Sequence, residues 1–168
     1  MTSLVLLIAR LIVGLGMAAH GSQKAFGWYG GHGLKATGGF FESLGFRPGS
    51  LFAALASAGE IVGGMLIAAG LFGPAGPALV ILVMIVAAGT MHIRNGFFTQ
   101  NNGVELNAFY IAASLIFAFV GFGSLSLDAA WGESHYFSET VTLWTVAAGI
   151  IMGVATLAVR RTSPATGK

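Results

Sequence analysis

The stretch SLFAALASAGEIVGGMLIAAGLF, Ser50–Phe72, decides the fold. It carries a single charged residue, Glu60, in a run long enough to cross a bilayer, which takes about 20 apolar residues. Four more runs of the same character flank it: Leu4–Gln23, Pro74 to His92 or Ile93, Val104–Leu125 and Val141–Val159. The turn Gly73-Pro74-Ala75-Gly76-Pro77 separates the second run from the third. Of the 168 residues, 55% are hydrophobic and 8% charged, whereas a soluble domain carries about 25% charged residues. So little charge cannot coat a water-soluble globule, but lipid requires no such coat. The expected fold is therefore all-α, a polytopic bundle of membrane helices. Many of the 26 glycines lie inside the apolar runs, where membrane helices use them to pack closely.

The first run has no basic residue ahead of it, although Met17-Ala18-Ala19 faintly resembles a cleavage site, and it reads as a membrane helix rather than a leader. The connection 24–49 contains Phe40, Phe41, Leu44 and Phe46 among glycines, a pattern that fits a short interfacial helix. Its glycines match no phosphate-binding loop. With no cysteine, the chain has no disulfide, thiolate nucleophile or iron–sulfur cluster of its own. A net charge of +2 with basic residues spread over loops gives no nucleic-acid patch.

Those basic residues are one-sided. With five helices, Lys24, Lys35, Arg47, Arg94, Arg160, Arg161 and Lys168 share one side, while Asp128, Glu133 and Glu139 lie on the other. The positive-inside rule then puts the N-terminus outside and the C-terminus in the cytoplasm. Trp28 and Tyr29 fall at the inner interface, and Trp131, Tyr136 and Trp144 at the outer one.

The ionisable residues within the runs are the candidates for function: Arg10, His20, Glu60 and His92, with Glu105 at the mouth of the fourth. A charge at a helix centre in lipid costs about 2.5–3.5 kcal/mol or more, so each should face the bundle interior and find a partner. Small residues share the faces of Arg10, Glu60 and His92, with His20 at the edge of the first, which turns all three faces inward. Depths along the runs place Arg10 about 9 Å and Glu60 about 16 Å from the outer ends, within reach of an ion pair. His20 and His92 fall at about 24 and 27 Å, at one level with Lys24, Arg94, Glu105 and Asn107. Each residue also has a plainer reading. Arg10–Glu60 serves equally as a latch between helices, the histidines as interfacial residues, and Glu105 as a carboxylate favoured by a helix dipole. Taken together they suit a quinone headgroup, which needs an apolar slot, hydrogen-bonding partners and a proton route. Haem between His20 and His92 is a weaker alternative. A metal on His20, His92 and Glu105 is weaker still, for want of a dense ligand motif.

Four segments carry a resemblance: His20-Gly21-Ser22-Gln23-Lys24-Ala25-Phe26-Gly27-Trp28, Phe40-Phe41-Glu42-Ser43-Leu44-Gly45, Glu60-Ile61-Val62-Gly63-Gly64 and His92-Ile93-Arg94-Asn95-Gly96-Phe97-Phe98. In order and spacing they resemble the DoxX family over about residues 4–127. The resemblance implies a four-helix membrane core, residues 1–127; beyond it, residues 128–168 read as an acidic outer loop, a fifth transmembrane helix and a basic tail. It also implies a link to membrane oxidoreductase complexes in a bacterial inner membrane, and it marks Arg10, His20, Lys24, Glu60, His92 and Asn95 as the family's polar set. The expected function is thus a membrane subunit of an oxidoreductase system. It would bind a quinone-like molecule through Arg10, His20, Lys24, His92, Asn95 and Glu105, with His20, His92 and Glu60 handling protons. Lacking a flavin or nicotinamide motif, it would need a partner subunit, which the fifth helix could dock through Gly149 and Gly153. The alternatives are a non-enzymatic assembly subunit and a transporter; the latter calls for an inverted repeat or broken helix, and neither is evident.

Overall fold

A computed structural model describes residues 1–132 and 137–161. Regular structure among them is helical throughout. Three long helices come first in the bundle: α1 (Thr2–Phe26), α3 (Gly49–Ala69) and α4 (Ala75–Ala87), the last prolonged by a π turn (Ala88–His92) and a 3-10 turn to Asn95. After α5 (Glu105–Val120) and the single turn α6 (Leu127–Ala130), α7 (Glu139–Ala158) completes the bundle. The segments Thr2–Phe26, Gly49–Ala69, Ala75–Asn95 and Glu139–Ala158 are long and apolar enough to span a membrane. Helix is what such runs must form, because in hydrocarbon each backbone N–H and C=O needs a partner within its own segment.

The connection 24–49 does contain a helix, α2 (Gly33–Ser43). It packs on the start of α3, where a Cβ on Gly38 would stand 3.1 Å from the Ser50 Cα. The Val104–Leu125 run is helical only to Val120, and α5 at 16 residues is about 24 Å long, short of a bilayer core of about 30 Å. It stops because Gly121 and Gly123 take φ of 85° and 77°, backbone that glycine enters freely and an α-helix does not use.

Contacts at the two ends establish which loops lie together. At one end, the Ser124 and Ser3 hydroxyls meet at 2.9 Å, and both Asp128 carboxylate oxygens accept backbone N–H groups, from Phe72 and Gly73, at 2.8 Å. At the other, the Arg161 N–H reaches the Gly45 carbonyl at 2.8 Å and the Arg160 Nε the Leu44 carbonyl at 2.8 Å. Lys24, Lys35, Arg47, Arg94, Arg160 and Arg161 therefore share a basic end, opposite Asp128 and Glu139. Glu133, Tyr136 and Lys168 lie outside the described residues.

The bundle is closed most tightly between α1 and α3. A Cβ on Gly14 would lie 2.6 Å from the Ala68 N and one on Gly21 2.7 Å from the Ser57 carbonyl. Met17, Ile67, Val80, Met84 and Phe117 fill the core beside this seam. Large apolar side chains such as Leu4, Ile8 and Ile12 of α1, and Ile151 and Val154 of α7, are exposed, as a lipid-facing surface requires. Gly149 and Gly153, expected to offer a docking face for a partner, instead seat α7 on α4: a Cβ on Gly149 would lie 2.6 Å from the Ala78 carbonyl. A partner held by α7 would have to use its other face.

Gly14→Ala should therefore lower stability by about 1–3 kcal/mol through overpacking. Gly39→Ala, on α2 with open space around it, should be neutral or gain about 0.5–1 kcal/mol from helix propensity. Unfolding in mixed detergent micelles measures both, and equal values would mean that α1 and α3 do not approach as described.

Candidate functional site

Glu60 is 2% exposed at the middle of α3. Its partner is Lys24 rather than Arg10: the Lys24 ammonium is paired with Glu60 Oε1, and the Lys24 side chain is 34% exposed. The correction follows from register. Gly14 lies against Gly64 and Ala68, and Gly21 against Ser57 and Ile61, so α1 and α3 run antiparallel with Arg10 level with Gly70. That is about 15 Å along α3 from Glu60, beyond an arginine's reach. Depths counted from the ends of the apolar runs missed this because the two helices are not aligned at their ends. Lys24 lies nearer the basic end than Glu60, and its flexible stem extends up to the carboxylate.

Arg10 is buried, 2% exposed, at the acidic end. Its Nη2 donates to the Leu125 carbonyl, while Nε and Nη1 have no partner among the described residues. Gly70 is where the guanidinium fits, since a Cβ there would overlap it. Arg10 thus ties α1 to the turn after α3 and to the segment after α5.

The other candidates divide. His20 is exposed and sits edge-on to the Tyr110 ring at 6.2 Å, so it does not face inward as expected. His92 ends the π turn in α4, the kind of helix irregularity often found at functional positions. Its Nδ1 lies 2.8 Å from the Asn102 carbonyl. Asn95 donates from Nδ2 to the same carbonyl at 3.2 Å and to the Met91 carbonyl at 3.0 Å. Glu105 lies in the first turn of α5, and its Oε2 accepts the Thr99 N–H at 2.8 Å, closing the loop that carries Asn102. Asn107 is buried, with Nδ2 3.5 Å from the Met84 sulfur. No group of three His, Asp or Glu side chains among the described residues is placed to hold a metal ion.

Lys24, Glu60 and His92 share a cavity of about 830 Å³. Its walls are otherwise mostly apolar, from α2 (Phe40, Phe41), α3 (Phe52, Leu55) and α4 (Leu82, Val86). Phe40, Leu55, Val62 and Met152 line it and are exposed, so it opens sideways onto the surface that lipid chains would cover. His20, Arg10, Asn95 and Glu105 are not part of its wall. Four polar residues of the lining that sequence reading missed are His32, Thr37, Thr90 and Thr156. Thr156 belongs to a helix remote in sequence and His32 to the connection before α2, so no helical spacing links them to Glu60.

The fold, with four helices long and apolar enough to span a membrane, and the partly buried ion pair define a polytopic helical membrane protein with an apolar cavity. A family model described as DoxX matches residues 5–93, more than half of the chain, and the chain belongs to the DoxX family. No curated protein and no solved structure matches the chain.

In a double-mutant cycle, Lys24→Met and Glu60→Gln should couple by about 0.5–3 kcal/mol in unfolding free energy. Arg10→Ala and Glu60→Gln should add to within about 0.5 kcal/mol. Coupling of Glu60 to Arg10 instead of Lys24 would restore the pairing inferred from depth alone.

Proposed function

We propose that the chain is a membrane subunit of an oxidoreductase system and that it holds a quinone-like amphiphile in the cavity between α2, α3 and α4. The cavity itself carries this reading. At about 830 Å³ it falls in the range of small-molecule sites, about 300–1,000 Å³, which are largely apolar with a few polar groups. Its sideways opening admits a molecule that arrives through lipid, and Lys24, Glu60 and His92 supply the polar partners for a headgroup. Two of these side chains, Glu60 and His92, are also groups that exchange protons. Family membership supports the link to membrane redox systems.

The site so proposed is smaller than the one the sequence suggests. Lys24, Glu60 and His92 meet the occupant, Asn95 and Glu105 support His92 through the loop, and Arg10 and His20 act elsewhere. Electrons must come from or go to another component, a partner subunit, since the chain has no cysteine and no nucleotide-binding motif. The one-sided basic end supports an orientation with that end in the cytoplasm and the N-terminus outside, in a bacterial inner membrane.

Mass spectrometry of an organic extract of the protein, purified in mild detergent, tests the proposal. Quinone should accompany the wild type at near one per chain. Ala87→Phe, which pushes a ring into the cavity, should lower that ratio several-fold while the protein still elutes as a single folded species. No enrichment over the solubilised lipid background would sink the reading and favour an assembly subunit.

A further inference from the structure

The hydrogen bonds around the cavity are biased toward acceptance. A carbonyl only accepts, so the contact between His92 Nδ1 and the Asn102 carbonyl places the imidazole proton on Nδ1. In the neutral ring Nε2 then keeps a lone pair. The carbonyl is held in place by its surroundings: Asn102 takes φ of 60° and donates its N–H to the Thr99 carbonyl at 2.8 Å. Asn95 shares the same carbonyl, and the N–H of Glu105 reaches the Phe97 carbonyl at 2.8 Å. Glu60 adds a second acceptor, since its Oε2 is buried without a hydrogen-bond partner among the described residues while Oε1 is paired with Lys24.

Donors are scarcer. The hydroxyls of Thr37, Thr90 and Thr156 each donate to a carbonyl of their own helix, Gly33, Val86 and Met152, at 2.8, 2.7 and 2.7 Å. His32 is exposed at the rim. The Lys24 ammonium has hydrogens to spare but is drawn to Glu60. A buried carboxylate oxygen without a donor is costly, and an occupant that supplies an O–H removes that cost.

Resting on the cavity reading above, we propose that the occupant is a hydroxyl-bearing aromatic amphiphile, a phenol or hydroquinone, which donates to Glu60 and His92. The hydroxyl form binds more tightly than a carbonyl or ether form of the same size. Asn95 is a positioning residue that holds the Asn102 carbonyl toward His92.

Binding of 4-octylphenol and 4-octylanisole to the purified protein in detergent tests this, because the two differ only by the methyl group that removes the donor. The phenol should bind about ten-fold or more tightly. Equal affinities would overturn the donor requirement and leave the cavity reading standing. Binding of neither would overturn both. His92→Phe and Glu60→Gln should each narrow the ratio of phenol to anisole affinity. An undiminished preference in both variants would show that these residues are not the acceptors. The wild-type comparison needs no variant to fold.

Discussion

Gly14 and Gly64 let the backbones of α1 and α3 touch, and that contact determines what happens to Glu60. Two helices this close can slide past one another only by whole steps of side chains into grooves, so the seam sets one register. In that register Lys24 reaches Glu60 and Arg10 reaches the end of α3. A buried carboxylate left without a cation would be strongly unfavourable in an apolar bundle. The polar wall of the cavity therefore exists because a seam of small residues a few turns away holds the two helices in place.

The same arrangement separates the two intramembrane cations by role. Arg10 donates to the Leu125 carbonyl and helps close the acidic end, where Asp128 accepts from the Phe72 and Gly73 N–H groups. Lys24 is partly exposed and flexible, which suits a group that must stay close to an opening. Near the basic end, the irregular close of α4 frees His92 from the regular face of the helix and brings it to a loop built around Asn102. Irregular backbone at this position is permitted because the loop satisfies its own polar groups. Glu105 contributes to that loop through the Thr99 N–H, a more specific task than the general dipole effect expected of a first-turn carboxylate.

Much of the architecture was legible from the runs of apolar residues. The lengths of those runs, the turn around Pro74, the helix within 24–49 and the segregation of basic residues to one end all follow from hydropathy and charge, which act locally. The ends of elements were less legible. The fourth run continued in composition to Leu125, but glycine at 121 and 123 let the chain leave the helix early, and hydropathy does not register backbone angles.

The sequence by itself determined that this chain is a helical membrane protein, that its few charges must be partnered, and that Glu60 and His92 were among the residues to watch. It could do so because the penalty for charge in hydrocarbon applies to any fold. Only the tertiary structure decided that Lys24 rather than Arg10 meets Glu60, that His20 turns outward while His92 lines the cavity, and that α2 and α7 contribute walls to it. Those outcomes depend on how far one helix is displaced along another and on which distant segments pack together. Neither is encoded in spacing along a single helix.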